Sequence, residues 1–176
     1  MRRTALLGAV LAVAGCGAKQ ATTTAATPAA PATIKVSSPA FAAGGTIPKQ
    51  YACPSNVSLP LRWSGLPAGT GELALEMIDI DAPGGGFVHW ALAGISPSTR
   101  GIAAGDPIPG GAVAGRNSFG HVGYSGPCPP PGQAHRYVIT LFALPSPSAL
   151  RPGFSPGALK SSRAMARGEL TGIYRR

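Results

Sequence analysis

The sequence predicts a β-rich fold, mainly β, on three observations. Gly and Pro, 25 and 19 residues in a chain of 176, fall between short apolar runs and divide them as turns do. The run ELALEMIDID (72–81) alternates, with Leu73, Leu75 and Met77 on one side and, by the same period, Asp79 and Asp81 beside them. Two further runs of strand length, FVHWALAGI (87–95) and HRYVITLFAL (135–144), are apolar at their centres, as strands buried on at least one face are.

Taken in order, the chain begins with MRRTALLGAVLAVAGC (1–16), two arginines followed by an apolar run that ends in small residues. This is the pattern of a signal peptide, too short and too weakly flanked for a spanning helix. Its end, Val13-Ala14-Gly15-Cys16, resembles a bacterial lipobox, in which the cysteine is lipidated and becomes the new N-terminus. That reading is preferred to ordinary cleavage with an incidental Cys16, because the cysteine falls where the apolar region stops. Residues 17–33 are Ala, Thr and Pro with one Gly, Lys and Gln, too poor in large apolar groups to fold, and are read as a flexible tether. A single domain then spans 34–176, long enough for a proper core.

Three of the 15 Lys and Arg precede residue 34 and all six acidic residues follow it, so the domain carries +6. A signal peptide, and the absence of a Lys/Arg cluster with interleaved aromatics, argue against nucleic acid. Solubility or attraction to anionic lipid head groups accounts for the charge. With Cys16 assigned to lipid, Cys53 and Cys128 remain as an even pair in an exported domain, which makes a disulfide the default and two buried free thiols the alternative.

Within the strands, His89 falls in phase with Ala91 and Ala93, and His135 and Tyr137 with Ile139 and Leu141. The Gly/Pro-rich stretch 101–134 is long for a connection, and such loops are usually functional. Near the end, GALKSSRAMARGEL (157–170) is a modest helix candidate broken at Gly168, and LTGIY a closing strand. No nucleophile elbow of the G-x-S-x-G kind occurs, and His89, His121 and His135 are too scattered for a metal signature. A lone histidine on a strand is more often a satisfied core or surface residue than a ligand. What the groups do suit is a small anion pocket: a strand-end Asp, imidazoles, and N–H groups of a rigid, proline-containing loop. A bare carboxylate would repel a fully ionised phosphate, so Asp79 would orient a histidine or hold a proton of the ligand.

DIDAP (79–83), FVHW (87–90), GRNSFGHVGYSGPCPPPG (115–132) and HRYVITLFAL (135–144), in that order, resemble the bacterial branch of the phosphatidylethanolamine-binding protein family, over about residues 38–174. The resemblance implies a central antiparallel sheet, a smaller second sheet and a few peripheral helices. It also implies a pocket for phosphate, acetate or a phosphoethanolamine head group, formed here by Asp79, Ala82, Pro83, His89, Gly126, Pro127, His135 and Tyr137, with Asp81 fixing the turn. Two departures stand out: Ile80 replaces the proline of the family's D-P-D-A-P, and Ser162-Arg163 stand where bacterial relatives have Gly-His. The expectation is a membrane-tethered exported binding protein, not an enzyme, with no cofactor or metal and with a small anion or phospholipid head group as partner. An inhibitor or regulator of a kinase or protease, as some relatives are, is the alternative, its protein partner unknown. A hydrolase using the Asp/His set comes third.

Overall fold

The computed structural model describes residues 33–160 and 164–176. The expected signal peptide, lipobox and lipidated Cys16 lie outside the described residues, as does the tether up to its last residue. Thr33, that last residue, is joined to Arg167 by an isolated parallel bridge.

Two antiparallel sheets make up the fold. β1 (Lys35–Ser37), β2 (Leu61–Ser64) and β5 (Gly101–Ile102) form the smaller, in the order β1-β2-β5. β3 (Glu72–Asp79), β4 (Phe87–Ile95), β6 (Val113–Ala114), β7 (Ala134–Leu144) and β8 (Ala166–Arg175) form the larger, in the order β6-β4-β3-β7-β8. Helix among the described residues is limited to a 3₁₀ turn at Lys49–Tyr51 and one α turn, α1, at Gly157–Lys160.

The expected alternation decides which side of β3 each residue serves. Leu73, Leu75 and Met77 join Leu92, Ile139 and Leu141 of the neighbouring strands and Leu61 and Trp63 of the small sheet in one core. The opposite face carries Ala74, Ala91 and Ala93, small enough for Phe154 and Leu159 to pack close above them. β3, flanked by β4 and β7 and covered on both faces, is therefore the least yielding strand and a firm base for the carboxylate at its end.

Strict alternation along β4 would put His89 with Ala91 and Ala93, on the face away from the main core. The structure corrects this. Met77 pairs with Trp90 and Ile78 with Val88, so His89 is the extra residue of a β-bulge and has no partner of its own in the ladder. The bulge turns His89 to the side of Tyr137, whose ring lies 5.2 Å away, centroid to centroid.

The helix expected over 157–170 is also corrected: α1 is a single turn, and β8 already runs from Ala166 through Gly168. Burial in β8 alternates, with Ala166, Gly168, Leu170, Gly172 and Tyr174 inward, and that period of two overrides the weak helical spacing. Gly168 is there for closeness rather than for chain breaking, since a Cβ would collide with the carbonyl oxygen of Ile34. Gly168→Ala is accordingly expected to destabilise the domain by about 1–3 kcal/mol. Urea denaturation measures this, and an unchanged midpoint would mean that the Ile34 backbone gives way freely. The Ser162-Arg163 departure lies outside the described residues.

Candidate functional site

Register brings the site together. β3 pairs with β7 so that Asp79 stands opposite Tyr137, two residues from His135, and the bulge adds His89 from β4. All four are deeply buried: Asp79 is 4% exposed, His89 2%, His135 5% and Tyr137 0%.

Asp79 is held from two sides. Its Oδ2 accepts from His135 Nδ1 at 2.8 Å and its Oδ1 from the Asp81 N–H at 3.0 Å, which also closes the turn after β3. Nε2 of His135 lies 3.1 Å from Oε1 of the exposed Gln133. The missing proline at position 80 does not loosen this geometry, because the Ile80 N–H donates to the Arg136 carbonyl at 3.1 Å and prolongs the β3–β7 ladder by a bond that proline lacks.

His89 presents one defined edge. Nδ1 points at two carbonyl oxygens, Ser125 at 2.9 Å and Gly126 at 3.1 Å; carbonyls only accept, so Nδ1 carries a proton. Nε2 has no partner among the described residues. Burial holds the imidazole below the usual histidine range, while its bond to Ser125, the charge on Asp79 and its bond to Gly126 oppose that shift. The neutral ring with Nε2 as a free acceptor is thus the form the unliganded site favours near neutrality.

The Tyr137 hydroxyl is buried and makes no hydrogen bond. It faces the Asp79 carboxylate and the Cys128 main chain, neither at bonding geometry. Burial pushes the phenol well above its ordinary range, the negative charge on Asp79 adds to this, and the Cys128 main chain acts the other way, as an N–H donor does. An exposed Phe119 ring packs edge-on against Phe87 and His89, with centroids 4.6 and 5.3 Å away.

The remaining expected residues have different settings. Asp81 is exposed and forked onto Arg136, its Oδ1 accepting from Nη2 at 2.6 Å and its Oδ2 from Nε at 2.9 Å and from the main-chain N–H at 2.8 Å. The side-chain bond to Arg136 is the main reason its carboxyl drops to about 2. Asp81 fixes the turn from outside. Ala82 and Pro83 lie in that turn, where the Gly85 N–H donates to the Ala82 carbonyl at 3.3 Å. Gly126 contributes its carbonyl to His89, but its N–H is committed to Asn56 Oδ1 at 2.9 Å and is not free for an anion.

The wall that carries these carbonyls is stapled. Cys53 and Cys128 form the expected disulfide, with a Cα separation of 5.4 Å, and the Cys53 N–H donates to the Pro127 carbonyl at 3.0 Å. Above it, buried Asn117 organises the loop: Oδ1 accepts from the Phe119 and His121 N–H groups, and Nδ2 donates to the Gly123 carbonyl and Ser125 Oγ. Asn117, Gln133, Phe87 and Phe119 are site residues that sequence reasoning did not identify. Asn117 had a readable signal, an Asn in a Gly-rich loop able to replace main-chain partners; the other three had none. Among the described residues, no group of three His, Cys, Asp or Glu converges as a metal site.

Comparison with known proteins agrees with this fold. The family model of the phosphatidylethanolamine-binding protein matches residues 37–175. LppC of Mycobacterium tuberculosis strain H37Rv, which carries the name of a lipoprotein, is 44% identical, the match covering 85% of this chain and 82% of that one. A protein of Methanothermobacter thermautotrophicus, named only UPF0098, is 41% identical over 78% of this chain and 95% of its own length. Two solved structures superpose with a TM-score of 0.75. The phosphatidylethanolamine-binding protein homologue CT736 of Chlamydia trachomatis is 32% identical over 82% of this chain and 98% of its own. YbcL of Escherichia coli, described as a member of the mammalian family of that name, is 31% identical over 82% and 99%.

Proposed function

Because the chain belongs to the phosphatidylethanolamine-binding protein family, we propose that it is a membrane-tethered exported binding protein whose buried pocket holds a phosphate group, free or in a phospholipid head group. One observation carries this reading: the Tyr137 hydroxyl is buried without a partner beside a histidine whose Nε2 is also unpartnered. A buried, unsatisfied hydroxyl costs stability, and a bound oxyanion removes that cost. Tyr137 donates to one ligand oxygen, the Cys128 N–H assists, and His89 Nε2 accepts from a protonated ligand oxygen or takes up the proton and donates. Asp79, held by His135, repels a fully ionised phosphate and favours a ligand bringing its own proton or an ammonium group. Phe87 and Phe119 line the outer side of His89, where an ammonium meets aromatic faces. The groups present bind and orient; a nucleophile aligned with a base is not among them, so binding is preferred to hydrolysis.

Phosphate and phosphoethanolamine titrations of the wild type, His89→Ala and His135→Ala test the reading. Each variant is expected to weaken binding by about 1–3 kcal/mol, His135→Ala because it releases Asp79, and phosphoethanolamine should bind at least as well as phosphate. Folded variants that titrate like wild type would remove both histidines from the site.

The pH dependence has a definite sign. The folded state resists protonating His89 and the unfolded chain does not, so the unliganded protein loses this contribution as pH falls below about 6.5. An anion on Nε2 stabilises the imidazolium, so the thermal shift produced by phosphoethanolamine should be larger at pH 5.5 than at pH 7.5. A shift independent of pH would count against contact with His89.

Tethering rests on the lipobox-like end of the apolar segment and on the lipoprotein name of a relative. Cys16→Ser is expected to move the protein from the membrane to the soluble fraction; unchanged membrane association would refute lipid attachment at Cys16.

A further inference from the structure

Beside the disulfide lies a cleft of about 670 Å³, walled by Lys49, Tyr174, Arg175, Arg176 and the Cys53–Cys128 bridge. That volume is in the range of small-ligand cavities. No acidic residue lines the cleft, and none of its three cations is paired with a carboxylate among the described residues. Even with an α-carboxylate on Arg176 the walls stay net positive.

Two of the three cations, Arg175 and Arg176, are held by the protein. Arg175 Nη1 donates to the Gly132 carbonyl at 2.7 Å, and Arg176 Nη1 approaches Cys128 Sγ at 3.6 Å. The Gly132 N–H in turn donates to the Arg176 main-chain oxygen at 2.9 Å, so the end of β8 is clamped to the 126–132 loop. Each guanidinium has five N–H donors, and these bonds use one, leaving the rest of each fork without an acceptor among the described residues. Three like charges around one cavity repel, and with six acidic residues in the whole chain little nearby opposes them. An external anion is the partner that removes the repulsion and fills the forks.

We propose that this cleft is a second anion site, for a phosphate or phosphate-ester group. It stands independently of the pocket at Asp79, His89 and Tyr137, although Cys128 belongs to both, its sulfur lining the cleft and its main chain facing Tyr137.

Inorganic phosphate titrated into the full chain at constant ionic strength tests the site, with the guanidinium N–H signals of Arg175 and Arg176 and the ring signals of His89 followed by NMR. The Arg signals should saturate with phosphate but not with chloride. In Lys49→Gln/Arg175→Gln/Arg176→Gln, three exposed positions, calorimetry should lose one binding event or weaken it tenfold or more, while His89 titrates as in the wild type. Arg signals that respond equally to chloride, or a triple variant with wild-type calorimetry, would overturn the proposal. His89 signals that stay still while the Arg signals saturate would instead sink the pocket and leave the cleft standing. Vesicles identify the source: in a Cys16→Ser background, a tenfold loss of phosphatidylglycerol-vesicle binding by the triple variant, with no change toward phosphatidylcholine, assigns the site to an anionic lipid head group. Loss of phosphate binding with unchanged vesicle binding assigns it to a free anion.

Discussion

Tyr137→Phe is expected to make the unliganded protein more stable and a worse binder at once. The hydroxyl it removes is fully buried and makes no hydrogen bond, because the Asp79 carboxylate that could accept from it does not stand at bonding geometry. Deleting a buried, unsatisfied group removes its desolvation cost, so stability should rise by roughly 1 kcal/mol, read from urea denaturation. The same hydroxyl is the donor proposed for the ligand oxyanion, and losing a hydrogen bond to a charged group costs about 1.5–3 kcal/mol, or roughly tenfold to a hundredfold in affinity. Calorimetry with phosphoethanolamine measures that loss. The two signs together are diagnostic. A tyrosine that merely fills the core would leave affinity unchanged, and one with an important structural bond would lose stability on becoming Phe.

Removing the disulfide with Cys53→Ser/Cys128→Ser is expected to be the most destabilising change considered. The bridge spans 75 residues, and closing a loop of that length restricts the unfolded chain by about 4 kcal/mol in the chain-entropy model. For a domain of this size the melting temperature should fall by roughly 10 °C or more. A second effect is local. The bridge ties the 53–56 segment to the wall whose Ser125 and Gly126 carbonyls set the tautomer of His89, and the neighbouring Asn56 side chain holds the Gly126 N–H. Without the bridge the ring loses its fixed orientation, so affinity for phosphoethanolamine should fall even at temperatures where the variant is folded. A variant that melts lower but binds as tightly would confine the disulfide to stability.

The parts of the fold legible in the sequence are those whose cause is local. β3 could be read from the alternation along it and β7 from an apolar centre of strand length, each bounded by turn residues. The disulfide followed from counting cysteines in a chain read as exported. The two-residue strands β5 and β6 had no such signal, since a pair of residues becomes a strand only through its neighbour. Gly168 misled because a glycine that admits close backbone packing looks, in one dimension, like a glycine that ends a helix. Resemblance in motifs named Asp79, His89, His135 and Tyr137, but not their division of labour. That His135 holds Asp79, while His89 and Tyr137 keep free polar atoms, depends on register and burial.

The bulge at His89 means that the proposed binding chemistry resides in an irregularity of the sheet. A β4 shorter by one residue at that point would pair more regularly with β3, keep its hydrophobic face and still carry a histidine, now aimed away from the pocket. Fold and function are therefore indexed separately along the same strand. By this geometry, the spacing from the Asp79 turn to Trp90 should be a better guide to the proposed pocket than the presence of the histidine itself.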